Sequence, residues 1–367
     1  MQTSASGAPR LRIVKRDSLP LWKSVAIRLL AVLLALLVDA VLIYCIVNMN
    51  PVEVYKTMFS GAFGTSRRAW ITARDTALLL CMSVGLAPAF KMRFWNTGAE
   101  GQILVGAICT AFCMINFADI LPTGLLLVVM ALASIIGGGI WGLIPAVFKA
   151  KWDTNETLFT LMLNYVAIQL TSFCVACWEN PYGSNTVGII NQNSQIGWFP
   201  SLFGASYGLN ILLAVLLTVG MFCYLRYTKQ GYEIAVVGES RNTARYAGVS
   251  ITKVYIRTMI ISGAICGFSG FIAVAGSSHT VSTSTAGGRG FTAIIVAWLA
   301  KFNTFFMVVI SLLLVFLEKG ASEIASQYNL NEYAAQMIEG VILFFILGSE
   351  FFINYRLVRP GKEKEGK

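Results

Sequence analysis

The sequence predicts an all-α integral membrane protein of about ten transmembrane segments, one of them short or re-entrant. Three observations predict it. Hydrophobic residues make up 56% of the chain and charged residues 13%, about half the charged share of an ordinary soluble domain. Apolar runs recur at lengths that cross a hydrocarbon core of about 30 Å. Lysine and arginine collect in alternate intervals between those runs, the pattern of loops that alternate between the two sides of a bilayer.

The first span is Val25 to Val47, apolar but for Arg28 and Asp39, and long enough at ~1.5 Å per helical residue. Further spans are expected at about Thr76 to Phe90, Gly98 to Phe117, Thr123 to Phe148, Thr157 to Trp178, Leu209 to Leu225, Tyr255 to Gly276, Gly290 to Ala300, Thr304 to Gly320 and Ala334 to Phe352. The second is short and leads into a glycine-rich motif. The eighth, Gly290 to Ala300, is too short to cross alone as a helix. A short segment among full spans suggests a broken or re-entrant helix, tolerated only where protein buries it or where it lines a cavity. Gly137, Gly138, Gly139 and Gly142 punctuate the fourth span, and Gly263, Gly267 and Gly270 the seventh. Small residues let helices approach closely in lipid, so these predict a compact bundle.

Placing both termini on the cytoplasmic side puts most of the 28 basic residues there, as the positive-inside rule requires. Lys56, Arg67, Arg68 and Arg74, in the first outer loop, are a local exception. The net charge of +10 is then a topology signal, and no nucleic-acid partner is needed to account for it. Residues 1–24 and 356–367 are expected as basic cytoplasmic tails around a transmembrane domain, 25–355. The apolar run after the first tail is longer than a signal-peptide core, and no small-residue cleavage site follows, so it is expected to stay as an anchor. The largest outer loop, about 179–208, is rich in Asn, Gly, Ser and Gln and is expected to cap the bundle or meet an extracellular partner.

Several chemistries lack their residues. Cys174 and Cys177 form a C-x-x-C pair and Cys109 lies one turn from Cys113, but the single histidine, His279, falls in another loop. Zinc takes four such ligands, so no metal is expected and the cysteines read as small apolar residues. Gly361 to Lys367 has phosphate-loop spacing up to its lysine, without the Ser or Thr and the helix that should follow. One loop histidine supports no Ser/His/Asp or Cys/His constellation. Neither an ATPase site nor a cofactor bound by this chain is expected.

Polar chemistry concentrates instead in Asn96-Thr97-Gly98-Ala99-Glu100-Gly101-Gln102. A charged residue at bilayer depth costs roughly 2.5–3.5 kcal/mol on insertion scales, so it faces a protein interior or a water-filled path. Asn96, Glu100 and Gln102 are therefore candidate pathway groups, with a helix-breaking structural knot as the alternative. Asp39 and Glu339 read as helix-to-helix hydrogen bonds. On the cytoplasmic side, the interval of about 226–255 can form a short helix over Asn242 to Ala247, ended by Gly248 in the left-handed cap position. Its Ala, Tyr and Val surface suits a docking element for a cytoplasmic partner, with Glu239, Arg241, Arg245, Tyr246 and Gly248 as its candidate residues.

These motifs converge on a known pattern. From about Pro51 to Arg356 the chain resembles the permease subunits of bacterial ATP-binding-cassette importers for nucleosides and simple sugars, in the branched-chain amino acid and ribose permease superfamily. Phe94 to Gln102 is similar to that family's Asn-Ile-Gly-Ala-Glu-Gly-Gln signature, with Thr97 where Ile is usual. Asn155 to Tyr165 looks like a segment of the nucleoside-type members. Gly238 to Gly248 with Ile261 to Gly267 is similar to the ATPase-coupling region, and Gly288 to Ile294 to the late re-entrant segment. The resemblance adds Asn164, Phe291 and Thr292 to the candidate pathway residues. It implies two inverted-topology halves and a type II importer-like permease fold, with Gly98-x-x-Gly101 echoed by Gly287-x-x-Gly290 in halves of opposite orientation.

It also implies pairing with a second homologous permease, docking on a cytoplasmic ATP-binding-cassette ATPase that uses the ATP, and delivery from an extracytoplasmic substrate-binding lipoprotein at the bacterial cell membrane. The expected function is a translocation pathway for a nucleoside, with a simple sugar or riboflavin as alternatives. A proton-coupled secondary transporter, using Asp39, Glu100 and Glu339 as a relay, is the reading from a different class.

Overall fold

Apolar sequence becomes helix nearly throughout the computed structural model, which describes residues 12–16, 20–47, 50–202, 204–328 and 332–358. The chain divides into two units, residues 65–315 and residues 1–64 with 316–367.

The larger unit opens with α3, Ser66–Lys91, whose cap is Thr65 accepting from the Arg68 amide. It continues through α4 (Ala99–Asn116), α5 (Thr123–Trp152), α6 (Glu156–Cys177), α7 (Gly208–Tyr227), α8 (Lys229–Glu239), α9 (Arg241–Tyr246) and α10 (Ile251–Ala273). A π-helical turn, Val274–Ser278, extends α10. The short α11 (Arg289–Leu299) follows, and α12 (Thr304–Gln327) begins here, the unit boundary falling within it.

Helix α3 is buried on every side from Asp75 to Phe90, and α4 nearly so. Along α5, α6 and α7 only one stripe is buried, while Leu132, Ile136, Met162, Val166, Val215 and Val219 stay exposed. Helices apolar all round and buried on one stripe present the rest to lipid. The glycines of α5 and α10 mark their crossing: a Cβ on Gly138 would lie 2.3 Å from the Gly263 carbonyl oxygen, and one on Gly263 2.4 Å from that of Gly138. Backbones meet there because no side chain intervenes, which gives van der Waals packing where lipid supplies no hydrophobic drive.

In the smaller unit, β1 (Arg12–Lys15) pairs antiparallel with β2 (Tyr355–Val358), Arg12 opposite Val358. It also holds α1 (Leu21–Leu42) with a π-helical turn Ile43–Val47, α2 (Pro51–Phe63), the end of α12, and α13 (Glu332–Asn354). Phe59, Phe63 and Phe316 cluster there, with Phe63 and Phe316 stacked at 6.0 Å.

Among the described residues seven helices are long and apolar enough to cross a membrane, and Leu29–Cys45, Arg289–Leu299 and Gly340–Asn354 are shorter apolar stretches. These correspond to the ten predicted segments, with four corrections. The second span is not short: α3 takes in Arg67, Arg68 and Arg74, so the basic interval expected as an outer loop is mostly helix. Its polar first turns hid a start that the Thr65 cap marks. Helix α2 was not expected, although Asn50 caps it and Pro51 stands at its first position, both ordinary start signals. The polar interval of about 226–255 holds two helices, α8 and α9, rather than one. Part of each expected tail forms the β1–β2 ladder.

Asp39 is fully buried in α1, and neither carboxylate oxygen has a hydrogen-bond partner among the described residues, so the expected helix-to-helix bond is not found among them. The side chain of Glu339 and most of the basic tails lie outside the described residues.

Candidate functional site

The Asn96 to Gln102 motif breaks the chain between α3 and α4, and Gly287 to Gly290 breaks it before α11. Folding brings the two breaks together. Glu100, in the first turn of α4, extends its carboxylate to the start of α11: Oε1 accepts the Gly288 amide at 2.7 Å and Oε2 the Gly290 amide at 2.8 Å. Each helix start leaves amides without intrahelical partners and carries partial positive charge. The carboxylate, standing in the first turn of α4, thus takes two amides at the start of α11, and these charged hydrogen bonds offset the cost of keeping it only 7% exposed. Space at this junction is exhausted, since a Cβ on Gly290 would lie 2.6 Å from the Glu100 amide nitrogen and from Oε2. Gly288, at φ +75°, sits in the left-handed region that favours glycine.

Arg289 ties the same turn to α3. Its guanidinium reaches Asp75 Oδ2 at 3.3 Å, while Arg74 holds Oδ1 at 2.8 Å.

The predicted amides brace the other side. Asn96 and Gln102 exchange hydrogen bonds at 3.3 Å, Asn96 Oδ1 also accepts the Gly98 amide at 3.1 Å, and Asn96 Nδ2 donates to Ser262 of α10 at 3.3 Å. Asn164, from α6, donates to the Thr97 carbonyl and accepts the Gly101 amide, both at 2.9 Å. Thr97, standing where Ile is usual, uses its hydroxyl: it donates to the Thr157 carbonyl at 3.0 Å and lies 2.9 Å from the Thr160 hydroxyl. Asn96, Gln102 and Asn164 are all buried, and their bonds go to the motif and its packing helices. Of the other two candidates, Phe291 is exposed and Thr292 half-buried.

The predicted docking residues gather at an elbow between α8 and α9. Ser240 caps α9 by accepting the Thr243 amide, Gly248 takes φ +74° as expected, and the helix spans Arg241–Tyr246. Ala244 is buried while Tyr246 is 94% exposed. The elbow is seated on the chain that enters the motif: a Cβ on Gly238 would lie 2.0 Å from the Lys91 carbonyl oxygen. Arg241 lies over the Tyr255 ring, and Tyr255 meets Phe94 edge to face. Glu239 lines a cavity of about 490 Å³ with Phe90, Arg93, Trp95, Trp298 and Phe302. Trp95 and Trp298 stack there at 5.0 Å.

Sequence reasoning passed over Trp95 and Trp298. Trp298 lies two turns beyond Phe291 on one face of α11, a spacing that could have flagged it. It gave no role to His279 and passed over Trp198, which stacks on it at 3.8 Å at the far end of α10 from the elbow. Among the described residues no group of Cys, His, Asp and Glu is placed to hold a metal ion.

With this geometry in place, comparison with known proteins is specific. The family described as branched-chain amino acid transport system, permease component, matches residues 70–347. A glucose ABC transporter permease protein of Haloferax volcanii is 30% identical over 365 residues, 95% of this chain and 93% of the relative. A guanosine ABC transporter permease protein of Bacillus subtilis is 27% identical, covering 88% of this chain and 92% of its own. A nucleoside ABC transporter permease protein of Lactococcus lactis is 25% identical, over 88% and 91%.

Proposed function

The chain belongs to the permease-component family of the branched-chain amino acid transport systems, and from that membership we propose that it forms the translocation pathway of an ATP-binding-cassette importer for a nucleoside. The observation that carries this reading is the Glu100 junction: two broken helices meet tip to tip, the arrangement by which membrane proteins place backbone amides and small polar groups beside a solute. The buried amides Asn96, Gln102 and Asn164 hold the tips in place, and Phe291 and Thr292, beside the junction on α11, face the solute. The guanosine and nucleoside permease relatives, matched over most of their lengths, support the substrate class.

The chain acts as a transport subunit without an ATPase site of its own and binds no cofactor. ATP is used by a separate cytoplasmic ATPase that docks on the α8–α9 elbow through Glu239, Arg241, Arg245, Tyr246 and the turn at Gly248. A second homologous permease completes the pathway, and an extracytoplasmic binding lipoprotein delivers the substrate. Both termini lie on the cytoplasmic side of the bacterial cell membrane. A simple sugar is the second reading, favoured by the glucose permease relative at 30% identity.

Uptake of labelled guanosine, uridine, ribose, glucose and riboflavin by cells with and without the gene tests the substrate. Nucleoside uptake that depends on the gene and on ATP is the expected result. Gene-dependent sugar uptake alone would move the assignment to the second reading, and uptake driven by a proton gradient without an ATPase would overturn the mechanism.

A further inference from the structure

We propose that the cavity walled by Trp198 and His279 is a receiving site for the planar base of the substrate, at the extracytoplasmic end of the permease; this rests on the nucleoside-importer reading. The cavity, about 480 Å³, is lined among others by Gln195, Trp198, Phe199, Ser201, Tyr207 and His279. That volume falls within the range of small-molecule sites, which combine aromatic walls with a few polar groups. It lies beyond the C-terminal end of α10, and the helix with its π turn spans Ile251–Ser278, about 40 Å at ~1.5 Å per residue. The cavity and the docking elbow therefore occupy opposite ends of the unit.

Three features make it a built site rather than a gap between loops. First, the ring platform is fixed before any ligand arrives: the Trp198 indole N–H donates to the Ile190 carbonyl at 2.9 Å, and the Ile190 amide donates to the His279 carbonyl at 2.8 Å. Trp198 and His279 stack nearly parallel, with 9° between their planes. Second, buried polar atoms there lack partners among the described residues: Nδ1 of His279 and Oδ1 of the fully buried Asn210 have none there. The Asn210 carboxamide lies directly behind Gly276, which lines the cavity, with Oδ1 2.6 Å from where a Cβ on that glycine would stand. Buried polar groups are almost always paired, so unpaired ones call for a partner. Third, the imidazole is held neutral, because burial and the nearby Arg74 guanidinium both push its pKa below the ordinary histidine value. A neutral imidazole offers one donor and one acceptor, which matches the mixed edge of a nucleobase. A base has aromatic faces for the Trp198 platform, whereas a sugar has none.

Direct binding and photolabelling test the site. The full chain in lipid nanodiscs, without binding protein, is titrated with radiolabelled guanosine and uridine, with ribose and glucose as competitors. Trp198→Ala is expected to weaken guanosine binding about tenfold, the scale of losing one base-stacking contact. Trp198→Phe, which keeps an aromatic plane but loses the bond to Ile190, should stay within about threefold of wild type. An azido-guanosine probe should label the loop of residues 195–207 or His279. Equal affinity in wild type and Trp198→Ala, equal competition by ribose, or label confined to the Trp95–Trp298 cavity would overturn the proposal. An equal loss in Trp198→Phe would do the same, because it would mark a packing role. So would weakened docking of the binding protein with nucleoside affinity unchanged, because the cavity would then seat a protein side chain. Full nucleoside uptake with no binding at this site would reject the inference alone, whereas gene-dependent sugar uptake without nucleoside uptake would reject the functional reading beneath it.

Discussion

The Glu100 junction and the α8–α9 elbow are the two places where the family resemblance puts function, and they are built in opposite ways. At the junction the carboxylate, three amide side chains and the glycine amides of two helix starts bond to one another inside protein. In α9 one residue, Ala244, is buried, a close backbone contact at Gly238 fixes the seat of the elbow, and Tyr246 is almost wholly exposed. Groups whose hydrogen bonds are all made within the protein hold a shape, since losing one strands its partner at a cost of about 1–3 kcal/mol. An exposed aromatic flanked by arginines has given up nothing to the fold and keeps its surface for a partner. The difference teaches that change at the junction should act through structure and change at the elbow through coupling.

The largest test of that contrast is Gly290→Ala. The new methyl would overlap the Glu100 backbone and carboxylate, so membrane levels or thermal stability should fall together with uptake, by tenfold or more; normal uptake would break the account of the junction. Gly238→Ala comes next. Overlap with the Lys91 carbonyl should lift the elbow from its seat, leaving substrate delivery intact while ATP hydrolysis no longer drives uptake, as paired hydrolysis and uptake assays would show. Glu100→Gln is isosteric but replaces one accepting oxygen with a donor that faces an amide. Uptake should drop roughly tenfold, with assembly largely kept, given about 1.5–3 kcal/mol for a charged hydrogen bond; unchanged uptake would remove Glu100 from any role in transport.

Paired Arg245→Ala and Tyr246→Ala should weaken ATPase co-purification severalfold while stability stays within about 0.5 kcal/mol, the usual range for surface changes. A marked loss of stability would show the elbow to be structural after all. The smallest effect is expected from Thr292→Ser, which keeps the hydroxyl and should alter the apparent affinity for substrate by less than about twofold. A larger change would sharpen the picture by placing that side chain against the solute.

Much of this was legible in the chain because it depends on local sequence. Apolar length reports a span whatever packs on it, and Gly248 after a short Ala- and Arg-containing run reports a helix end. The motif around Glu100 stood out because a carboxylate in an apolar run requires a partner. What stayed hidden depended on neighbours distant in sequence. Nothing near Gly101 shows that its amide donates to Asn164, 63 positions on, whereas the start of α3, ten residues before Thr76, was masked locally by three arginines in its first turns. Asp39 shows the opposite failure: its position predicts a hydrogen bond between helices, and the packing around it supplies none among the described residues.

The sequence by itself determined the class of protein, the number of its apolar segments and the identity of its two chain breaks, because hydrophobicity and helix-ending chemistry act over a few turns of helix. Only the tertiary structure decided that the two breaks meet, that the Glu100 carboxylate of α4 takes the amides at the start of α11, and that Trp198 lies on His279. Those pairings join residues 81 to 190 positions apart, and which distant segments pack together is set by the whole bundle, beyond the few turns of helix over which a local pattern acts.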